Sequence, residues 1–206
     1  MIDYANARAA SQGLRNASFG VMNITKSFDF DDASFDLLNA RFLSGALKRE
    51  AWQPFIAECT RILRPGGILR LTEGDDPGIS TSPALELLSS LTLQAMWRVG
   101  YGFSPDGRTL GMSPMLPKLL SRAGYHDIHI IPLATDFSAD TALWADFYHN
   151  NEITYYNLKP LFVSLGLVTS EEIEHVYQQA LIEMHATDFA YMTHALSVWG
   201  IAPLER

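Results

Sequence analysis

Apolar residues along this 206-residue chain recur with two different periods. From about Trp52 to Leu63 they fall at Trp52, Phe55, Ile56, Cys59 and Leu63, which is one face of an amphipathic helix. Pro54 is tolerated in the first turn of that helix. Arg64 precedes Pro65 and so disfavours further helix, and Gly66-Gly67 supplies a turn. On either side, Phe35–Asn39 and Ile68–Thr72 are short apolar runs of the buried-strand kind. Nearer the start, Ile2, Ala5 and Ala9 keep helical spacing, Gly13 stands where a helix C-cap belongs, and Leu14 follows it. Ala17–Ile24 reads as a further short strand, and residues 28–34 as an acidic turn. Strand, helix, tight turn and strand in this order predict an α/β sheet with parallel strands and a right-handed crossover.

The pattern changes after Glu73. Residues 75–83 are polar and rich in turn formers, and Leu85–Val99 is apolar enough for a covering helix. Residues 100–111 are glycine-rich, carry Pro105, and suggest a mobile loop. A helix is predicted over Pro114–Ala123, closed by Gly124, and a strand over His126–Leu133. Thr169-x-x-Glu172 has the spacing of a capping box, opening a helix with Ile173, Val176, Tyr177, Ala180, Leu181 and Met184 on one stripe. Phe189–Gly200 is rich in strand formers, although Ala190, Ala195 and Leu196 would also suit a helix.

Composition narrows the function. Apolar residues make up 48% and charged residues 18%, enough for one core with an elaborated cap. The net charge of −8 and the lack of a basic strip argue against nucleic acid as partner. Cys59 is the only cysteine, which excludes an internal disulfide and a multi-cysteine zinc site. No apolar run reaches the roughly 20 residues of a membrane span, and the N-terminus has no signal-peptide pattern. A cytoplasmic protein without a membrane partner is expected.

Several segments carry a resemblance. Met1-Ile2-Asp3-Tyr4-Ala5 with Gly13-Leu14-Arg15-Asn16-Ala17-Ser18-Phe19, then Asp32-Ala33-Ser34-Phe35-Asp36-Leu37-Leu38, then Glu58-x-x-Arg61-Ile62-Leu63-Arg64-Pro65-Gly66-Gly67, follow one another at compatible spacings. This series is similar to the middle of the class I S-adenosylmethionine-dependent methyltransferases. It covers the first 75 residues well and the remainder only in its order of elements. The resemblance implies a partial Rossmann-like methyltransferase sheet with helical cap insertions. Residues 1–75 would be a partial cofactor-binding core of a single domain, with 76–111 and 138–188 as cap or insert. It also implies S-adenosylmethionine as cofactor and a small organic molecule as methyl acceptor. Asn23 and Ile24 stand at the family's adenine-binding turn, commonly Asp, where Asn still offers a carbonyl to an exocyclic amine. Asn39, Ala40 and Arg41 correspond to the segment beside the methionine part of the cofactor. Direct methyl transfer needs chiefly alignment. If a base assists, Glu73 at the end of its strand is the first choice and His149 in the insert the second.

The family's Gly-rich loop and the acid that accepts both ribose hydroxyls belong upstream of the segment that Met1 begins. Gly100-Tyr101-Gly102 does not replace that loop, because no strand-to-helix turn follows it. The family sheet order 3-2-1-4-5-7-6 would then lack strands one and two. Strand three would have no neighbour, and strand four would present an open edge suited to a homodimer. The expectation is a shortened chain, a misplaced start, or a degenerate member that self-associates. The alternative to an enzyme is a non-catalytic remnant of the fold that binds or dimerises.

Other constellations carry less. Asp29, Asp31, Asp32 and Asp36 lack the Gly and Glu of a calcium loop, with Ser34 and Ala40 in those places. Glu172-x-x-His175 has no second pair for a di-iron site. His126 and His129, three apart on a strand, should face opposite ways. Gly102-x-Ser104 lacks the final glycine of a nucleophile elbow, with Asp106 in its place. The aromatic residues Trp97, Tyr101, Phe103, Trp144, Phe147, Tyr148, Tyr155 and Tyr156 are either core and cap packing or the wall of an acceptor pocket closed by the 100–111 loop.

Overall fold

A computed structural model describes residues 1–204. Its elements run α1 (Ile2–Ser11), β1 (Phe35–Arg41), a 3-10 turn (Arg49–Ala51), α2 (Trp52–Ile62), β2 (Leu63–Glu73), β3 (Ile79–Ser80), α3 (Pro83–Arg98), α4 (Leu116–Arg122), β4 (His126–Asp136), α5 (Trp144–Ser164), α6 (Ser170–Glu183) and β5 (Tyr191–Ile201). β1 and β2 are parallel and joined through α2. β5 lies antiparallel between β2 and β4. The order β1-β2-β5-β4 is the 4-5-7-6 portion of the expected sheet, with β3 added on the β2 side of β5.

Local chemistry explains the element ends. α1 closes in a Schellman motif: Gly13 at φ +69° donates to Ala10, and Leu14 donates to Ala9 at 3.0 Å. The capping box at α6 is formed, since Thr169 Oγ1 accepts from the Glu172 amide and the Glu172 carboxylate accepts from the Thr169 amide. Arg64-Pro65-Gly66-Gly67 lies inside β2 rather than in a free turn. Phe35 is opposite Leu63 while Leu37 is opposite Ile68, so the motif forms a bulge. Gly67 is needed there, because a Cβ would stand 2.9 Å from the Arg64 carbonyl and 3.1 Å from that of Asp36.

Two apolar clusters hold the chain. One packs α2 and α4 on a single face of the sheet, where Trp52, Ile56, Leu69, Leu71, Leu116 and Val198 are almost fully buried. The other joins α3, α5 and α6 beyond the sheet, around Phe147, Tyr155, Phe162, Tyr177 and Tyr191. The second sheet face is more open. Leu37, Asn39, Arg41 and Arg70 are exposed along it, and His129 stacks on Trp199 at 4.1 Å.

Three expectations need correction. Ala17–Ile24 forms no strand, and Val21 is 90% exposed: with no neighbour on which to pair, an extended segment gains nothing over water. The 100–111 loop is braced rather than free. Phe103 and Ser104 donate to the Leu110 carbonyl, Leu110 donates to Asp75 O, and Arg49 Nε donates to Gly102 O. His126 and His129 share a face, because His126 pairs with Ile201 and His129 with Trp199; a bulge at Asp127 (φ +48°) adds one residue between them. Among the described residues no group of His, Cys, Asp and Glu is arranged to hold a metal, and no helix is long and apolar enough to cross a membrane.

Near the surface, Arg61 binds Glu58 at 3.0 Å and Asp32 at 2.8 Å, and also donates to the Phe28 and Phe30 carbonyls. The Arg61 guanidinium, with the Phe28 amide, lowers the Glu58 pKa from 4.5 to about 2. A depressed carboxylate stabilises the fold above its unfolded pKa, and that contribution is lost as pH falls through the folded value. Thermal melts should therefore show Tm dropping between about pH 4.5 and 2, more steeply in the parent than in Glu58→Gln. In urea unfolding, Leu71→Ala should cost about 2–5 kcal/mol, whereas Val21→Ser should change stability by no more than about 0.5 kcal/mol.

Candidate functional site

In an open α/β sheet the strands' C-terminal ends face the ligand crevice. Here three acidic residues follow one another at the end of β2, and burial gives each a different task. Glu73 is 1% exposed. Its carboxylate accepts from the Leu43 amide at 2.7 Å and the Ser44 amide at 3.1 Å, fastening the loop that leaves β1. Burial raises its pKa, and those amides oppose the rise. Asp75 Oδ1 accepts from the Met112 amide at 2.5 Å and the Ser113 amide at 3.0 Å, while its carbonyl accepts from Leu110. Asp75 therefore fastens the glycine-rich loop. Asp76 fastens only its own turn, through the Gly78 amide, and its Oδ1 is buried without a partner. Burial raises the Asp76 pKa.

Asp76 lines a cavity of about 590 Å³ between α3 and two loops, 76–79 and 106–108, together with Glu86, Ser89, Leu93 and Trp97. A second cavity of about 400 Å³ shares Pro77 and is bounded by Phe137, Phe147, Asn151, Tyr155 and Tyr191. The wall between them is braced: Tyr191 Oη donates to the Pro77 carbonyl, and the Tyr155 and Ser89 hydroxyls are 3.3 Å apart. Gly78, at φ +136°, permits this, since a Cβ there would overlap the Tyr191 ring.

The residues expected to act divide as follows. Asn39 and Arg41 lie exposed at the end of β1, with the Arg41 guanidinium 5.2 Å from the Phe42 ring centre. Ala40 points to the α2 face, opposite Leu71. Arg41 pairs in register with Thr72, so this strand end and Glu73 lie together at the C-terminal end of the parallel pair. Asn23 closes its own turn, its Oδ1 accepting from the Thr25 amide at 3.0 Å and the Thr25 hydroxyl at 2.7 Å. Ile24 lies by the start of α2, in a separate cavity of about 340 Å³ with Phe55 and Glu58. His149 is exposed on α5, 3.4 Å from Glu152, and lines neither cavity at the β2 end. Of the aromatic residues, Trp97 lines the larger cavity and Phe147 and Tyr155 the smaller; Tyr156 is exposed. Sequence reasoning missed Asp76, because nothing in Glu73-Gly74-Asp75-Asp76 distinguishes an engaged carboxylate from an unengaged one.

Comparison with known proteins agrees with the fold. Residues 1–67 match the family described as a methyltransferase domain. A curated relative, methyltransferase pytC of Aspergillus terreus, is 28% identical over 113 residues; the match covers 55% of this chain and about a third (34%) of the relative. Among solved structures, the YcgJ protein of Bacillus subtilis aligns with 98% of this chain and 78% of its own, at TM-score 0.55 and 14% identity. A putative methyltransferase from Bacillus halodurans aligns over the same shares at TM-score 0.51 and 13% identity. At such identities the likeness is one of fold.

Glu73→Ala would leave the Leu43 and Ser44 amides unpaired, at about 1–3 kcal/mol for each buried donor. Urea unfolding should show that loss, and Glu73→Gln, which keeps an acceptor, should lose less.

Proposed function

We propose, from the premise that this chain is a relative of the class I S-adenosylmethionine-dependent methyltransferases, that it takes part in methyl transfer to a small organic acceptor. The observation that carries this reading is the cavity at the C-terminal end of β2, walled by α3 and closed by the braced 100–111 loop. Residues 76–111 and 138–188 act as the cap over a core formed by 1–75.

The cofactor, when bound, supplies a methyl group on a sulfonium, open to displacement by a lone pair of the acceptor. Asn39 and Arg41 fit its methionine end, being exposed at the end of β1 beside the loop that Glu73 fastens. Ala40 adds backbone to that wall. Asn23 and Ile24 join such a site only if the Asn23 amide releases Thr25. Glu73 serves by holding Leu43 and Ser44, because both its oxygens are engaged. A proton leaving the acceptor goes to Asp76, which lines the cavity and whose pKa is raised by burial. Trp97 and the 106–108 segment form the outer wall of the cavity. His149 would contribute only by a movement of α5.

A second reading is favoured by the outer edge of β1, which pairs with no strand among the described residues and carries Leu37 at 57% and Phe42 at 60% exposure. On this reading the chain is a non-catalytic remnant that forms a homodimer through that edge.

Calorimetric titration of the full chain with S-adenosylhomocysteine, with molecular mass recorded in parallel, separates the two. Binding in the micromolar range, about −8 kcal/mol, and weakened by Arg41→Ala, is expected. A folded protein of doubled mass that binds none of it would overturn methyl transfer by this chain and favour the dimer.

A further inference from the structure

The smaller cavity, beside α5, is walled by aromatic rings in contact with one another. The Phe137 and Phe147 rings stack with centres 5.2 Å apart, and the Tyr191 ring centre lies 4.2 Å from that of Phe147. Tyr155 and Leu158 continue the wall, so a flat apolar body finds faces to lie against. Most hydroxyls in the lining are already engaged. Tyr191 Oη donates to the Pro77 carbonyl, the Tyr155 and Ser89 hydroxyls meet, and Thr92 Oγ1 donates to the Leu88 carbonyl at 2.9 Å.

Asn151 is different. It is 8% exposed, stands on α5 one turn from both Phe147 and Tyr155, and lines the cavity. Its Nδ2 donates to the Phe147 carbonyl at 2.8 Å. A carbonyl only accepts, so this bond fixes which end of the amide is which and leaves Oδ1 as the free end. Oδ1 takes no hydrogen bond from the described residues, and unlike Oδ1 of Asp76 it is not sealed from solvent. A nearly buried acceptor opening on a cavity calls for a donor on the molecule that enters.

Charge narrows the kind of donor. Asp146 is the only charged residue in the lining, and it stands exposed at the rim with Asn150 and Thr154. A carboxylate or phosphate would meet acceptors and no cation. An ammonium would gain little from one carboxylate screened by water.

We propose that this cavity is a binding site for a neutral hydroxylated aromatic molecule. Its ring lies against Phe137, Phe147 and Tyr191, and its O–H donates to Asn151 Oδ1. The site is across the Pro77–Tyr191 wall from the cavity assigned to methyl transfer and does not rest on that reading. A volume of about 400 Å³ accommodates a substituted phenol.

Fluorine NMR on the full chain follows the binding of 4-fluorophenol. Fluorobenzene serves as the analogue without a donor, 4-fluorobenzoate as the anion and 4-fluorobenzylammonium as the cation. The phenol should bind about three- to tenfold tighter than fluorobenzene, the margin of one neutral hydrogen bond, and tighter than either ion. Asn151→Leu keeps the bulk and suits a helix but removes the acceptor, so it should bind phenol and fluorobenzene alike, with circular dichroism unchanged. Asn151→Ala, which cannot overfill the cavity, should lose the same preference. Asn157→Ala, at an exposed position of α5, should keep the parent's margin. Four results would each overturn the proposal: equal binding of phenol and fluorobenzene by the parent, preference for either ion, a margin that survives both Asn151 variants, or no binding by a folded protein at millimolar phenol. Titrating S-adenosylhomocysteine into the same samples keeps the two readings apart. Asn151-dependent phenol binding without the cofactor product sustains this site and sinks methyl transfer, and the reverse result does the opposite.

Discussion

The sheet depends on its last strand. β5 hydrogen-bonds to β2 through residues 196–201 and to β4 through residues 192–201, and without it the parallel β1–β2 pair and β4 would be separate pieces. It also carries Val198 into the cluster under α2 and α4, and Tyr191 into the cap. A single strand thus joins both cores. Pairing Ile68 with Ile201 closes a long stretch of chain before any reward is gained, which is the topology of slow folding. Other elements rest on local contacts: the Schellman end of α1, the α2 stripe and the α6 capping box.

Those local elements were also the ones legible in the sequence. Trp52, Phe55, Ile56 and Cys59 are all buried on α2, and Thr169 and Glu172 cap each other as their spacing requires. Ala17–Ile24 looked like a strand because strand propensity describes a side chain's fit to a pleated neighbour, and no neighbour is there. The two histidines of β4 were assigned to opposite faces because strict alternation assumes no bulge, and Asp127 at positive φ supplies one. α5 was not anticipated as a helix. Phe147, Tyr155 and Phe162 are buried at helical spacing, but the polar Asn151 sits on that stripe while the apolar Ile153 and Tyr156 lie exposed off it, which blurs the pattern.

The strand ends were legible, but not the state of the side chains there. The rule that ligands meet the C-terminal ends of strands led to Glu73 and to Asn39–Arg41, which do lie at the same end of the β1–β2 pair. What sequence could not supply was the state of each carboxylate. Glu73 and Asp75 are occupied by backbone amides from loops some 30 and 37 residues away, and only folding brings those amides there. Asp76 stands out by elimination once the other two are engaged.

This division of labour separates the residues that keep the frame from the one that lines the cavity. The 42–44 loop is held by residue 73 and the 110–113 loop by residue 75, while residue 76 faces the cavity and anchors only its own turn. A substitution at position 76 would leave both loops anchored, so on the proposed reading the lining of the cavity can change without loosening the frame. The same change at either neighbour would unfasten a loop. On that reading, change in the lining and upkeep of the frame fall to different residues of one short segment.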